Sequence, residues 1–475
     1  MYPYYVGKTP FLNPRNSLPV VDKYSGKVVS QVSTVPPEDL RGIIDKVNRT
    51  QKKLTAFPRY ERKRVLLDIA SKIKLNSEKL AQLLVLEVGK SITDARGEIG
   101  RAIDTFTISA EEAVRQGGEF QHADSSARNH GTRTITSRYP IGLVSMIVPF
   151  NFPINLAAHK MGPAIAVGCP FILKPSERTP LSAVLLGEIL SEVDLPEDSY
   201  ALLPSELSTA PVFSTDERIK LISFTGSAKV GWEIKKTSGK KKVCLELGGN
   251  AAAVVDSNVN VDHAAARIYW GAFYSNGESC ISVQKVKVHE DIYDQFVTKL
   301  IEKTKTIVMG NPYDEKTFLG PLIAESEAIR LERWVQEAQS QGAKVLLGGK
   351  RSGAFFEPTI MSDVPPNCHI SCEEAFGPVC VLEKYSDFRA VIDKVNTSQY
   401  GLQTGIFTKD LHKAFYAYDN LDVGGVVIND VPSVRVDAMP YGGVKDSGLG
   451  REGITYAMED MSEIRVMVLK DVGLL

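Results

Sequence analysis

Two rhythms of hydrophobic positions divide the chain. Up to about residue 115, apolar residues recur at three- and four-residue spacing, as in Leu66-Leu-Asp-Ile-Ala-Ser-Lys-Ile73 and on to Leu86. That spacing predicts a mainly helical stretch. From about residue 139, short β-branched runs alternate with helical segments. Strands are expected at 143–148, 171–173, 201–203, 219–224, 243–247 and 252–255, with helices from about Ile154, after Pro180 and after Ser227. Such alternation predicts βαβ units and a parallel sheet covered on both faces. A second alternating stretch follows Glu246 to about residue 440, with strands at 283–288 and 405–408 and an amphipathic helix near 293–308.

Two segments belong to neither rhythm. Residues 123–140 are polar and strand-prone, ending in Arg133-Thr-Ile-Thr-Ser-Arg-Tyr139, and residues 461–470 form a lone strand-like run. Together they predict a small projecting β arm. An unpaired edge on such an arm invites a partner subunit, as a homodimer or homotetramer.

Composition narrows the class without naming it. The 475 residues allow two or three domains, and 43% hydrophobic with 24% charged residues is ordinary for a globular chain. With 56 basic against 57 acidic residues the net charge is −1, which implies no nucleic-acid partner. Lys240-Lys241-Lys242, the one compact basic cluster, reads as a solvated turn. No basic segment followed by an apolar one opens the sequence, and no apolar stretch approaches the ~20 residues a bilayer requires. A cytoplasmic location is the expectation, with the six cysteines as free thiols. Cys368, Cys372 and Cys380 do not complete a metal-ligand spacing, so no metal is expected.

Candidate chemistry centres on Cys280, in Phe273-Tyr-Ser-Asn-Gly-Glu-Ser-Cys280, and on the carboxylate of Glu246-Leu-Gly-Gly249. A thiol can attack an aldehyde, and a carboxylate can later activate water against the thioester. Gly226 and Ser227, in Phe224-Thr-Gly-Ser-Ala-Lys-Val-Gly231, follow a predicted strand and open a helix. There the backbone could approach a pyrophosphate, although by itself the pair also reads as an ordinary helix cap. Lys174-Pro-Ser-Glu177 closes another strand, where ligands bind in open α/β sheets. Alone, such a pair is more often a solvated surface pair. Pro149-Phe-Asn-Phe-Pro153 offers the Asn151 amide to a developing oxyanion, or simply an Asn turn. Gly448-Leu-Gly-Arg-Glu-Gly453 has the letters of a dinucleotide fingerprint but not its βαβ context, and is expected to be a tight loop.

Taken in order, these motifs, with Glu373-Glu-Ala-Phe-Gly-Pro378 and Pro440-Tyr-Gly-Gly443, resemble the NAD(P)-dependent aldehyde dehydrogenase superfamily over nearly the whole chain. The resemblance implies an α/β fold. Residues 1–122 and 141–246 would form a Rossmann-like parallel-sheet cofactor domain, 247–445 an α/β catalytic domain, and 123–140 with 455–475 a small β oligomerisation arm. Cys280 resembles the nucleophile and Glu246 the general base. The Asn151 amide and the Cys280 backbone N–H resemble the oxyanion hole. Lys174, Ser176 and Glu177 would hold the adenosine ribose, and Gly226 and Ser227 the pyrophosphate. Glu374 and Phe376 would hold the nicotinamide ribose and ring, with Pro149 and Leu247 beside the cofactor. Glu177 accepting from a ribose 2′-hydroxyl implies NAD, with NADP possible through Lys174 and Ser176.

Two neighbours of the nucleophile depart from the family pattern. Glu278 stands where glutamine is usual; it would either raise the thiol pKa or point away and cap a turn. Ser279 replaces an arginine found in phosphate- and phosphonate-using relatives. The chain resembles the branch of lactaldehyde, non-phosphorylating glyceraldehyde-3-phosphate and phosphonoacetaldehyde dehydrogenases. That implies a small polar or anionic aldehyde near Arg101, Phe152, Ser279 and Arg435, oxidised to the free acid. Structural ion pairs are the other reading of the two arginines. Remaining alternatives are a succinate-semialdehyde-type enzyme, a coenzyme-A-acylating enzyme and a non-catalytic binding protein of the same fold.

Overall fold

The computed structural model describes residues 1–470, leaving the last five positions of the expected arm outside the described residues. Five parallel strands form the centre of an eight-stranded sheet, in the spatial order Tyr200–Leu202, Phe171–Lys174, Leu143–Ile147, Ile219–Thr225, Lys242–Glu246. Helices Pro153–Val167 and Pro180–Ser191 connect the first three. The strand order runs outward in one direction from Leu143–Ile147 and reverses at Ile219–Thr225. The crevice between those two strands is the topological switch point where open α/β sheets bind ligands. The loops that follow them carry Pro149–Phe152 and Gly226–Ser227.

A second, seven-stranded sheet runs Lys344–Leu347, Thr359–Ser362, Val379–Tyr385, Lys285–His289, Ala252–Val255, Gln403–Phe407, Gly425–Ile428, parallel except at its first strand. Each sheet packs its own apolar layers. Ile69, Phe106 and Met161 lie under the first, and Ile268, Phe273 and Phe296 under the second. The chain then crosses back: Gly448–Leu449 adds an antiparallel edge to the first sheet beside Glu246. The glycines of the literal GxGxxG run do lie in a tight loop, with φ of 84° at Gly450 and 99° at Gly453, values glycine adopts without strain.

The two segments outside the main rhythms pair with each other. Ser462–Lys470 lies antiparallel to Thr132–Pro140 over its whole length, and Phe120–His122 adds a third strand. Ile464, Val466, Met467 and Val468 are exposed along the outer strand. One expectation needs correcting. Before the helices begin at Pro37, the chain forms the short strands Tyr4–Val6, Thr9–Phe11, Ser17–Val21 and Val28–Ser33. Two of them have only three residues, too few for an alternating pattern to show. Among the described residues no helix is long and apolar enough to cross a membrane.

Candidate active site

A cavity of about 320 Å³ opens at the switch point, between the two sheets. Strand ends deliver its chemistry. Asn151 follows Leu143–Ile147, Gly226 follows Ile219–Thr225, and Glu246 is the last residue of Lys242–Glu246. Cys280 comes from the other side, on the turn after Tyr274–Gly277, where Ser275 and Asn276 adopt positive φ. Asn276 holds that turn through its amide, which donates to the carbonyls of Gly89 and Pro321 and accepts from Gly320 N–H. The Cys280 loop is therefore anchored from behind.

Asn151 is 5% exposed, and its Nδ2 donates to the Glu278 carbonyl at 3.0 Å. This bond aims the amide at the Cys280 loop and leaves its second N–H for a ligand. Glu246 is buried, and neither carboxylate oxygen has a hydrogen-bond partner among the described residues. Burial raises its pKa well above the ordinary carboxylate range, and the charge of Glu452 raises it further. Burial likewise pushes the Cys280 thiol up to about 12, opposed by the Tyr441 hydroxyl at 3.0 Å from Sγ. A resting thiol of this kind needs a local change to become nucleophilic.

Glu278 turns its carboxylate to the 320s loop. Its Oε1 accepts the Ile323 N–H at 3.0 Å, so it ties the Cys280 loop to the 320s loop, and burial raises its carboxyl to about 8. Of the two readings of this residue, capping a loop is the one observed. Ser279 is also engaged, its hydroxyl 2.7 Å from the Tyr274 hydroxyl.

Both arginines line the cavity, and both are ion-paired. Arg101 meets Asp437 at 2.7 Å and remains partly exposed. Burial alone would raise Asp437, but hydrogen bonds from His159 and Arg101 hold it well below the usual carboxylate range. Arg435, its side chain 7% exposed, meets Glu452 at 3.0 Å, and its Nε has no partner among the described residues. Glu452 also accepts from Lys160 at 2.8 Å. A buried donor without an acceptor costs about 1–3 kcal/mol, a debt that a bound oxygen would remove.

Pro149, Phe152, Ser227, Leu247, Glu374 and Phe376 border the same cavity. The Lys90 ammonium lies 3.7 Å over the Phe152 ring and pairs with Glu98, whose other oxygen accepts the Ile154 and Asn155 N–H groups at the next helix start. Glu374 accepts the Gly249 N–H at 3.0 Å, and burial raises it to about 7. Phe376 adopts φ of 46° and packs edge-on against Phe150.

Lys174, Ser176 and Glu177 lie apart, at the end of the neighbouring strand. Lys174 reaches Glu177 at 3.3 Å. These residues suit a dinucleotide stretched along the strand ends. A Cβ at position 226 would come within 2.6 Å of the Phe224 ring, so glycine keeps the loop low. Helix Ala228–Thr237 begins beyond Ser227 with no side-chain cap, leaving its N-terminal N–H groups for a phosphate. Tyr441 and Glu452 are cavity residues that motif reading passed over, although both lie inside quoted motifs.

The sequence profile of the Aldehyde dehydrogenase family matches residues 11–467. Over 451 residues the chain is 42% identical to 3-sulfolactaldehyde dehydrogenase from Priestia megaterium, covering 95% of this chain and 94% of the relative. Aldehyde dehydrogenase 21 from Physcomitrella patens, in complex with the reaction product succinate, has a TM-score of 0.98 at 49% identity, covering 100% of this chain and 99% of that one. Glyceraldehyde-3-phosphate dehydrogenase from Methanocaldococcus jannaschii, complexed with NADP, has a TM-score of 0.93 at 38% identity, with coverage of 97% and 100%.

Proposed function

The chain belongs to the aldehyde dehydrogenase family, and from that premise we propose that it oxidises a small aldehyde with an anionic tail, of the succinate semialdehyde class, to the free acid. Its cofactor is NAD or NADP. The carrying observation for the tail is the unpartnered Arg435 Nε in a cavity that Arg101 also lines. Such an N–H suits a carboxylate oxygen.

Cys280 Sγ adds to the aldehyde carbonyl, and the oxygen takes up negative charge beside the Asn151 amide and the Cys280 N–H. NAD(P), held by the residues named below, would supply the hydride acceptor, and Cys280 Sγ would hold the oxidised carbon as a thioester. Glu246 then takes a proton from water, and the hydroxide attacks the thioester and releases Cys280 with the acid. A carboxylate at 246 favours hydrolysis over acyl transfer to coenzyme A.

Lys174, Ser176 and Glu177 are the proposed ribose contacts, Gly226 and Ser227 the pyrophosphate contacts, and Glu374 and Phe376 the nicotinamide contacts. Pro149 and Leu247 border them. The cofactor domain is assigned to 1–122 and 141–246 and the catalytic domain to 247–445. The arm at 123–140 and 455–475 is assigned to homodimer or homotetramer contacts, supported by the exposed apolar outer strand. A cytoplasmic setting agrees with six free cysteines.

Two measurements check substrate and cofactor. Arg101→Ala should raise KM for succinate semialdehyde by roughly 10–100-fold, the worth of one charge-assisted hydrogen bond, with a much smaller change for lactaldehyde. Asp437 keeps its hydrogen bond with His159 at 2.8 Å, so the local structure should persist. An unchanged preference between the two aldehydes would remove Arg101 from recognition. Glu177→Gln should raise the NADP to NAD ratio of kcat/KM by roughly tenfold, as repulsion of a 2′-phosphate is relieved. A ratio that stays put would show that Glu177 does not face the ribose.

A further inference from the structure

Tyr441 has no role in the chemistry above, yet it touches the reacting atom. Its hydroxyl lies 3.0 Å from Cys280 Sγ and makes no other hydrogen bond among the described residues. The residue is 4% exposed and held on several sides. Its backbone pairs with Glu452 in both directions, and Ile281 and Leu402 pack with it. The Arg435 guanidinium sits 3.9 Å over its ring, itself fixed by Glu452. A cation on the ring face draws electron density from the phenol and makes its O–H a stronger donor. Burial keeps the phenol protonated far into the alkaline range.

We propose that the Tyr441 hydroxyl is the donor that holds the Cys280 sulfur and stabilises its thiolate before attack. A hydrogen bond to the charged form of a group favours that form. The thiol proton leaves to water, and Tyr441 keeps its own, so no bond of the phenol breaks. Once Sγ bonds to the carbonyl carbon, the negative charge moves to the oxygen and the hydroxyl loses its anionic acceptor. Arg435 then acts on the sulfur through the Tyr441 ring, in addition to its proposed contact with the aldehyde tail. This inference rests on reading Cys280 as the nucleophile.

The test is iodoacetamide labelling of the full chain, followed at the Cys280 peptide by mass spectrometry against pH. Below the midpoint the rate follows the thiolate fraction. Tyr441→Phe should shift the profile upward by about one pH unit, making labelling about tenfold slower at each pH below the midpoint. Labelling of partly exposed Cys372 should not change, which reports an intact fold. Should the variant fail to fold, a ring-fluorinated tyrosine placed at 441 gives the opposite arm. Its more acidic phenol should lower the midpoint. An unshifted profile in either folded variant overturns the inference. Failure of the nucleophile reading looks different: with hydrolysis blocked by Glu246→Gln, aldehyde and NAD(P) would then leave no acyl adduct on the Cys280 peptide, whatever the labelling profile.

Discussion

Glu246→Gln should turn over once and then stall, releasing about one equivalent of reduced cofactor per site before steady-state turnover drops by ~10²–10⁴. The amide keeps the size of the side chain but cannot accept a proton from water. Cys280 should still be acylated, so a stable acyl mass is expected on its peptide. The same carboxylate sets the pH dependence of the wild type. Burial and the Glu452 charge raise the Glu246 pKa, so its proton is lost at higher pH than that of an ordinary carboxylate. Base form accumulates as pH rises, and the steady-state rate should climb along an alkaline limb. That limb should vanish in Glu246→Gln. A variant with no burst and a wild-type rate would take Glu246 out of the mechanism.

Asn151→Ala should lower kcat and kcat/KM together, by ~10²–10³, because an oxyanion donor acts only when charge has formed. Stability should suffer much less. The lost bond from Asn151 Nδ2 to the Glu278 carbonyl is worth about 1 kcal/mol in a typical protein. The two effects can therefore be separated by steady-state kinetics beside a thermal melt. If KM alone rises, the amide binds substrate and transition state alike, and its oxyanion role fails.

What the sequence made legible follows strand ends. Asn151, Gly226 and Glu246 are far apart in the chain, but each ends a predicted parallel strand, and parallel strands deliver their C-terminal ends to one crevice. The alternation of short apolar runs thus carried both the sheets and much of the cavity. The arm strands were legible for the opposite reason, as stretches that joined neither rhythm. Less legible were contacts that depend on side-chain direction. Glu278 beside Cys280 permits repulsion or a cap, and only the Ile323 N–H decides between them. Tyr441 is an ordinary aromatic in its motif until its hydroxyl is found beside Sγ. The three-residue strands Tyr4–Val6 and Thr9–Phe11 are held by partners elsewhere, not by a pattern of their own.

The buried pair of Lys160 and Glu452 also has a consequence for synthesis. Lys160 lies on the first helix after the switch-point strand, yet its carboxylate arrives 292 residues later. Until then the first sheet would have to bury an ammonium with only Ser223 to bond it, at 2.9 Å. An uncompensated buried charge costs several kcal/mol, a large share of a domain's total stability. A chain emerging from the ribosome should therefore gain the full stability of its first sheet only once the segment around Glu452 has been made. The same carboxylate grips Arg435, so one side chain completes both the first sheet and the pocket.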